Sequence, residues 1–345
     1  MKVSKDYFRG CLLGGAVGDA LGYPVKYLSM EEIGRTYGEF GIQKPVLDEY
    51  SGKALISEDT QMTVFTVDGL LWADSRIKKK GIYAYIPCLF YAYQKWYYTQ
   101  TGHFADREYE FLKKGEVFNW EELFARRTPD ETTLQALAGS IKSKYGTLKN
   151  RINNSSSYGA AARCAAIGMY FHKEPKKAFQ LGCECGAITH GHSDGFIPAG
   201  FISHLMALIF RGEELESAVI ESLTLLKRHK NCGAAYEAVS RAVFLAGSDI
   251  DAGDSMKELG SGWTGDEAIA LAVYCALKYP YDFEKAILLA VNQDGNSSGT
   301  AAICGNILGG YSGSLEIPFS WIADIELSAL MVNGADKLLE AVKVQ

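Results

Sequence analysis

Residues 5–22, KDYFRGCLLGGAVGDALG, carry apolar side chains at helical spacing yet hold Gly14, Gly15, Gly18 and Gly22. Each glycine costs a helix about 1 kcal/mol against alanine. A helix keeps such residues where backbones must pack closely or where a ligand must approach. A second small-residue segment near the C-terminus opens with an oxygen-rich turn and continues through Gly305-xxx-Gly309. Outside a membrane that spacing means close helix packing. Both segments confine the chain to helix-on-helix architectures.

The rest of the sequence agrees. Apolar periodicity predicts helices over 60–75, 81–98, 132–143, 176–188, 196–211, 213–228, 232–246, 268–278 and 283–291, and a terminal helix over 324–342. Residues 23–56 read as a long ordered loop with one short helix at 30–37, where Ser29-Met30-Glu31-Glu32 has the pattern of a capping box. The aromatic residues of 81–98 read as core with wet tyrosine rims. Residues 99–131 are polar and loop-rich. No segment alternates as a strand does, and no Pro/Ser/Gly linker divides the 345 residues. The expectation is one all-α domain over 1–345, a single-domain orthogonal helical bundle.

Composition narrows the function. A hydrophobic content of 48% supports a substantial core. The net charge of −6 argues against a nucleic-acid binder and for a cytoplasmic protein. No run of about 18 uncharged apolar residues suggests a membrane span. Six of eight cysteines are widely spaced, and the single C-x-C at Cys183 and Cys185 is poor zinc geometry, so all eight read as buried thiols.

Four stretches can carry chemistry. Ser57-Glu58-Asp59-Thr60 precedes an apolar helical run. On its own it reads first as an N-cap with acids in the first turn, and second as a set of hard oxygen ligands for a divalent cation. Asp19, inside a small-residue helix, is either capped locally or lines a site. The loop 153–158 runs into an alanine-rich helix reaching about Tyr170 and presents Ser157, Tyr158 and Gly159 at its entry, a candidate cradle for phosphate or carboxylate. It has neither a Walker lysine nor a dinucleotide glycine spacing. His190 and His192 lie two apart, so they do not share a helix face; one can still contact a ligand.

GCLLGGAVGDALGYPV (10–25), SEDTQMT (57–63), SYGAAAR (157–163), THGH (189–192), GWTGDEA (262–268) and GTAAICGNILGG (299–310) stand in this order along the chain. Together they resemble the ADP-ribosylglycohydrolase family, which includes the dinitrogenase-reductase-activating and ADP-ribosyl-acceptor hydrolases. The resemblance implies an all-α orthogonal bundle. It also implies hydrolysis of the bond between ADP-ribose and an arginine, serine or other acceptor, assisted by two Mg²⁺ or Mn²⁺ ions. Cleavage at the ribose anomeric carbon passes through an oxocarbenium-like state, and carboxylate-held cations orient the ribose hydroxyls and activate water. By this resemblance Ser57, Glu58 and Asp59 are metal ligands, Glu58 and Asp59 are catalytic, and a C-terminal Asp-x-Asp-[Ser/Thr] turn completes the metal site. The candidate substrate-binding residues are Asp19, Lys26, Ser157, Tyr158, Gly159 and His190.

Three departures fall in that metal site. The usual Asp-Asp pair is Glu58-Asp59, which moves an oxygen by about 1.5 Å. The acid expected shortly after the GDALG motif is Lys26. At the C-terminal turn, a gapless match places Asn296 and Ser298 where two aspartates belong and Gly299 at the hydroxyl position; a shifted register uses Asp294 and Asn296 instead. In the gapless register the site is less negative by about four charges, and hard dications need that charge. The expected outcome is a degenerate metal site with Lys26 filling it against Glu58 or Asp59. The chain is then either a hydrolase of ADP-ribosyl bonds or a catalytically silent relative. The silent relative would bind ADP-ribose or ADP-ribosylated protein or small molecules as a decoy, inhibitor or immunity-type protein.

Overall fold

Glycine spacing in the first helix decides how the bundle is assembled. In the computed structural model, which describes residues 1–229 and 231–343, α1 (Lys5–Gly22) lies antiparallel against a late helix, Ser297–Ser312. A Cβ on Gly10 would sit 2.2 Å from the Gly309 carbonyl oxygen, one on Gly14 2.3 Å from that of Gly305, and one on Gly18 2.1 Å from that of Ala301. No side chain fits at those separations, so the two backbones touch along more than two turns, about 3.6 residues each. The glycine cost is offset by the packing of one helix spine onto another.

Sixteen helices follow α1 among the described residues, its late partner being α15. They are α2 (Met30–Tyr37), α3 (Glu58–Lys80), α4 (Tyr85–Thr101), α5 (Glu131–Ala138), α6 (Gly159–Ala162), α7 (Ala165–Tyr170), α8 (Pro175–Ala187) and α9 (Ser193–Arg211). Then follow α10 (Leu215–Arg228), α11 (Gly233–Ala246), α12 (Ala252–Leu259), α13 (Gly265–Lys278), α14 (Phe283–Val291), α15 (Ser297–Ser312), α16 (Phe319–Asp324) and α17 (Ser328–Lys343). No strand occurs among these residues, only three isolated bridges. The buried side chains form a connected cluster running from Phe8 to Val342.

Local signals account for several element ends. The capping box at Ser29 is present, with Glu32 reaching back to the Ser29 backbone. Ser57 caps α3 by accepting from the Asp59 amide at 3.1 Å. On α4, Phe90, Tyr93 and Trp96 are fully buried while Tyr91 and Tyr98 sit at the rim. All eight cysteines are free and buried. The α9 segment Ser193–Arg211 is long and apolar enough to cross a membrane by length and composition, and 89% of that window lies inside the bundle.

One expected helix is divided, and the terminal helix begins later than expected, at Ser328. The alanine-rich helix breaks at Arg163–Cys164 into α6 and α7. Just before that start, Leu327 has φ 60°. There the chain pairs with residues 54–56: the Glu326 amide donates to the Ala54 carbonyl (3.0 Å), and the Glu326 carboxylate accepts from the Ile56 amide (2.9 Å) and pairs with Arg127 at 3.2 Å. That contact anchors the strand of loop leading directly into Ser57.

Candidate functional site

The N-termini of α3 and α15 meet α1 and the loop entering α6. Asp19 projects from the glycine-rich spine of α1 and is fully buried. Its Oδ2 accepts from the Ser57 amide (2.9 Å), the Thr60 amide (3.2 Å) and the Thr60 hydroxyl (2.6 Å). Asp19 thus fixes the first turn of α3, while its Oδ1 is buried with no hydrogen-bond partner. Burial, and then the nearby Asp59, lift its pKa to about 6 against the opposing pull of Ser57, Thr60 and Lys26.

Lys26 follows a 3₁₀ turn over Tyr23–Val25 and is only 2% exposed, so it is no solvated loop lysine. Its ammonium donates to Tyr158 Oη at 2.8 Å, and that phenol donates to Asp59 Oδ2 at 3.2 Å. Asp59 Oδ2 also accepts from the hydroxyls of Ser57 (3.3 Å) and Ser298 (3.2 Å). Burial disfavours the lysine charge, but Asp59, Glu58 and Asp19 more than offset it and raise its pKa above the ordinary value. Glu58 lies deeper, accepting from the Asp130 amide. Burial, then repulsion from Asp130 and Asp59, hold its carboxyl well above the usual range.

On the next wall, Ser157 Oγ lies 2.8 Å from His190 Nε2 and 3.4 Å from Asp130 Oδ2, which it faces as a donor. His190 Nδ1 lies 2.8 Å from the Thr189 hydroxyl, which in turn accepts from Arg163 at 2.6 Å. Burial, reinforced by Arg163, keeps the imidazole well below its usual pKa and so neutral at pH 7. His192 points elsewhere and caps α9 through the Asp194 amide at 3.2 Å. Gly159 begins α6, a single turn of four residues; the long helix dipole expected behind the loop is absent there. Trp263 closes the outer rim, stacked on Tyr27 (ring centroids 5.5 Å apart, planes at 14°) and edge-on to Tyr158 at 6.5 Å.

The start of α15 follows the gapless register. Asn296 is its N-cap: Oδ1 accepts from the Gly299 amide (3.1 Å) and Nδ2 donates to the Gly262 carbonyl (3.0 Å), so its side chain is spent on structure. Ser298 reaches Asp59. Asp294 does not join the site; it is exposed and accepts from the Met30 amide at 2.7 Å, capping α2. The expectation that Asp294 serves a metal is therefore corrected: the positive φ of Gly295 (127°) turns the chain between the two positions.

These residues do not fit a pair of hard dications. The two departures at the C-terminal turn replace carboxylates with a spent amide and a neutral hydroxyl. An ammonium stands among the remaining acids. At the hydroxyl position, Gly299 makes room for the Tyr158 ring, since a Cβ there would lie 2.3 Å from Tyr158 Cε2. Among the described residues no three His, Cys, Asp or Glu side chains are grouped to hold a metal ion.

Asp130 lies outside every stretch singled out in the sequence, and Thr60 and Arg163, inside quoted stretches, take roles not read there. Asp130 links Glu58, Ser157 and the Thr133 amide, and its one local signal is its position as N-cap of α5. Thr60 clamps Asp19. Arg163 is fully buried over the Tyr93 ring at 4.4 Å.

An all-α bundle without strands among the described residues matches the all-α ADP-ribosylglycohydrolase fold. The chain belongs to the ADP-ribosylglycohydrolase family, whose sequence profile matches residues 2–345. An uncharacterized protein of Archaeoglobus fulgidus is 26% identical over 341 residues, spanning 97% of each chain. A solved structure described as an ADP-ribosylglycohydrolase-related protein complex superposes with a TM-score of 0.63 at 21% identity, covering 99% of this chain and 100% of that one. At that identity the likeness speaks for the fold. The family is generally metal-dependent and acts on ADP-ribosylated substrates.

Proposed function

We propose that this chain recognises the ADP-ribosyl group, free or attached to a protein or small molecule, without the paired divalent ions general in its family. The observation that carries the reading is the buried Lys26–Tyr158–Asp59 chain of hydrogen bonds. An ammonium and a phenol supply there the positive charge and donors that ribose hydroxyls or phosphate oxygens require. Ser157 and neutral His190 offer a paired donor and acceptor beside them. The stacked Tyr27–Trp263 face offers a platform for an adenine ring. Asp19, Gly159 and Asp130 shape the wall behind these groups.

One observation favours a second reading, in which the bond is also hydrolysed. Burial and like charge push the Glu58 carboxyl well above its usual range, while the adjacent Asp59 lies among three hydroxyl donors. Two carboxyls with environments pushed apart are the arrangement of an acid and its partner in glycoside cleavage. Isothermal titration with ADP-ribose in EDTA, and then with Mn²⁺, tests the first reading. Saturable binding in EDTA that Mn²⁺ leaves unchanged supports it; binding that requires the ion overturns it. Release of ADP-ribose from ADP-ribosyl-arginine or ADP-ribosyl-serine, abolished by Glu58→Ala, selects the second.

A further inference from the structure

Further along α3 from the acids, a cavity of about 500 Å³ opens between α3, α17 and the short turns over residues 107–119. Its volume falls in the range of small-molecule sites, roughly 300–1,000 Å³. Its floor is apolar: Leu12, Val64, Val67, Leu71, Trp72 and Met331 line it. Its polar groups are few and carry an excess of positive charge. Three lysines, Lys95, Lys114 and Lys337, face two acids, Asp68 and Glu116.

The pairing leaves one cation over. Lys95 holds Asp68 at 2.8 Å and rests over the Trp72 face at 5.3 Å. Lys337 of α17 holds Glu116 across the mouth. Gly115, at φ 123°, brings the covering turn close to Lys95, with a Cβ position only 3.3 Å from Nζ. Lys114, next in chain to that turn, has no acid within ion-pair distance among the described residues. In a chain of net charge −6, a pocket with an apolar floor and a surplus lysine at its lip selects for an anion.

We propose that this cavity is a second binding site, taking a small amphipathic monoanion of the medium-chain carboxylate class. The hydrocarbon lies on the α3 and α17 side chains, and the carboxylate meets Lys114 at the mouth. It lies along the middle of α3, over Val64 to Ser75, whereas the ADP-ribosyl site lies at the N-terminus of that helix.

Octanoate and octan-1-ol, titrated calorimetrically into the full chain, test the proposal. Octanoate should saturate one site and bind about tenfold more tightly than octanol, the scale of one charge-assisted contact at a partly exposed position. Lys114→Glu, at an exposed residue, should weaken octanoate about tenfold and leave octanol unchanged. Leu71→Trp should fill the floor and abolish both. Equal affinities for acid and alcohol in the parent protein would overturn the proposal, as would octanoate binding that survives Leu71→Trp or ignores Lys114→Glu. No saturable octanoate binding would overturn it outright.

Discussion

Replacing Lys26 with methionine removes the charge while keeping most of the stem. The ammonium faces Asp59, Glu58 and Asp19, all buried, and breaking such an arrangement by deleting one partner costs about 3–5 kcal/mol. The loss depends on pH, and its sign follows from the acids. Asp19 has its pKa raised from 3.8 to about 6, so the folded state binds protons more tightly than the unfolded chain. Its contribution is present in full below about 3.8 and is lost as pH rises through about 6. Glu58 is displaced the same way. Without Lys26 both acids climb further, and the pH-dependent loss extends above 6. Urea unfolding of the parent and Lys26→Met proteins at pH 8 and pH 5 measures this. The variant should lose about 3 kcal/mol or more at pH 8 and about half of that or less at pH 5, where the acids take up protons. An equal loss at both pH values, or none at pH 8, refutes the argument that the lysine neutralises these carboxyls.

Gly14→Ala tests the helix spine. The new methyl would lie 2.3 Å from the Gly305 carbonyl oxygen, and the two backbones must part, at a cost of about 1–3 kcal/mol or more in chemical denaturation; an unchanged midpoint contradicts the packing described. His190 makes a statement about pH. Its imidazole is held neutral in the fold, so this residue costs stability as pH falls below about 6.5, where the unfolded chain gains its proton. ADP-ribose affinity should accordingly run flat between pH 6 and 8 where His190 is concerned. An inflection near 6.5 that disappears in His190→Ala would show the imidazole titrating in the folded protein.

The architecture was legible because its determinants are local. The glycines of α1, the capping box at Ser29 and the serine before Glu58 announce their elements within a few residues. The break after α6 and the late start of α17 were not legible. Leu327 adopts a positive φ because Glu326 binds residues 54–56, some 270 positions away, and no local pattern carries that contact. The site divides in the same way. Glu58, Asp59, Lys26, Tyr158 and Ser298 do converge, and the substitutions that reduce the site's charge could be read from single positions. What could not be read is how the space is filled: the phenol of Tyr158 enters because Gly299 lacks a side chain, and Asp130 arrives from a loop read only as polar. Asp294 misled because its chemistry suits a metal, whereas the turn at Gly295 sends it to cap α2.

The claim on which the rest depends is that Lys26 and Tyr158 stand where the family would hold its dications. Titration of Mn²⁺ into the chelator-stripped protein, followed by calorimetry and by the loss of the free-ion paramagnetic resonance signal, addresses it directly. This account expects no site of micromolar or tighter affinity in the parent protein. Two such sites, filled without displacing the Lys26–Tyr158–Asp59 contacts, would contradict it.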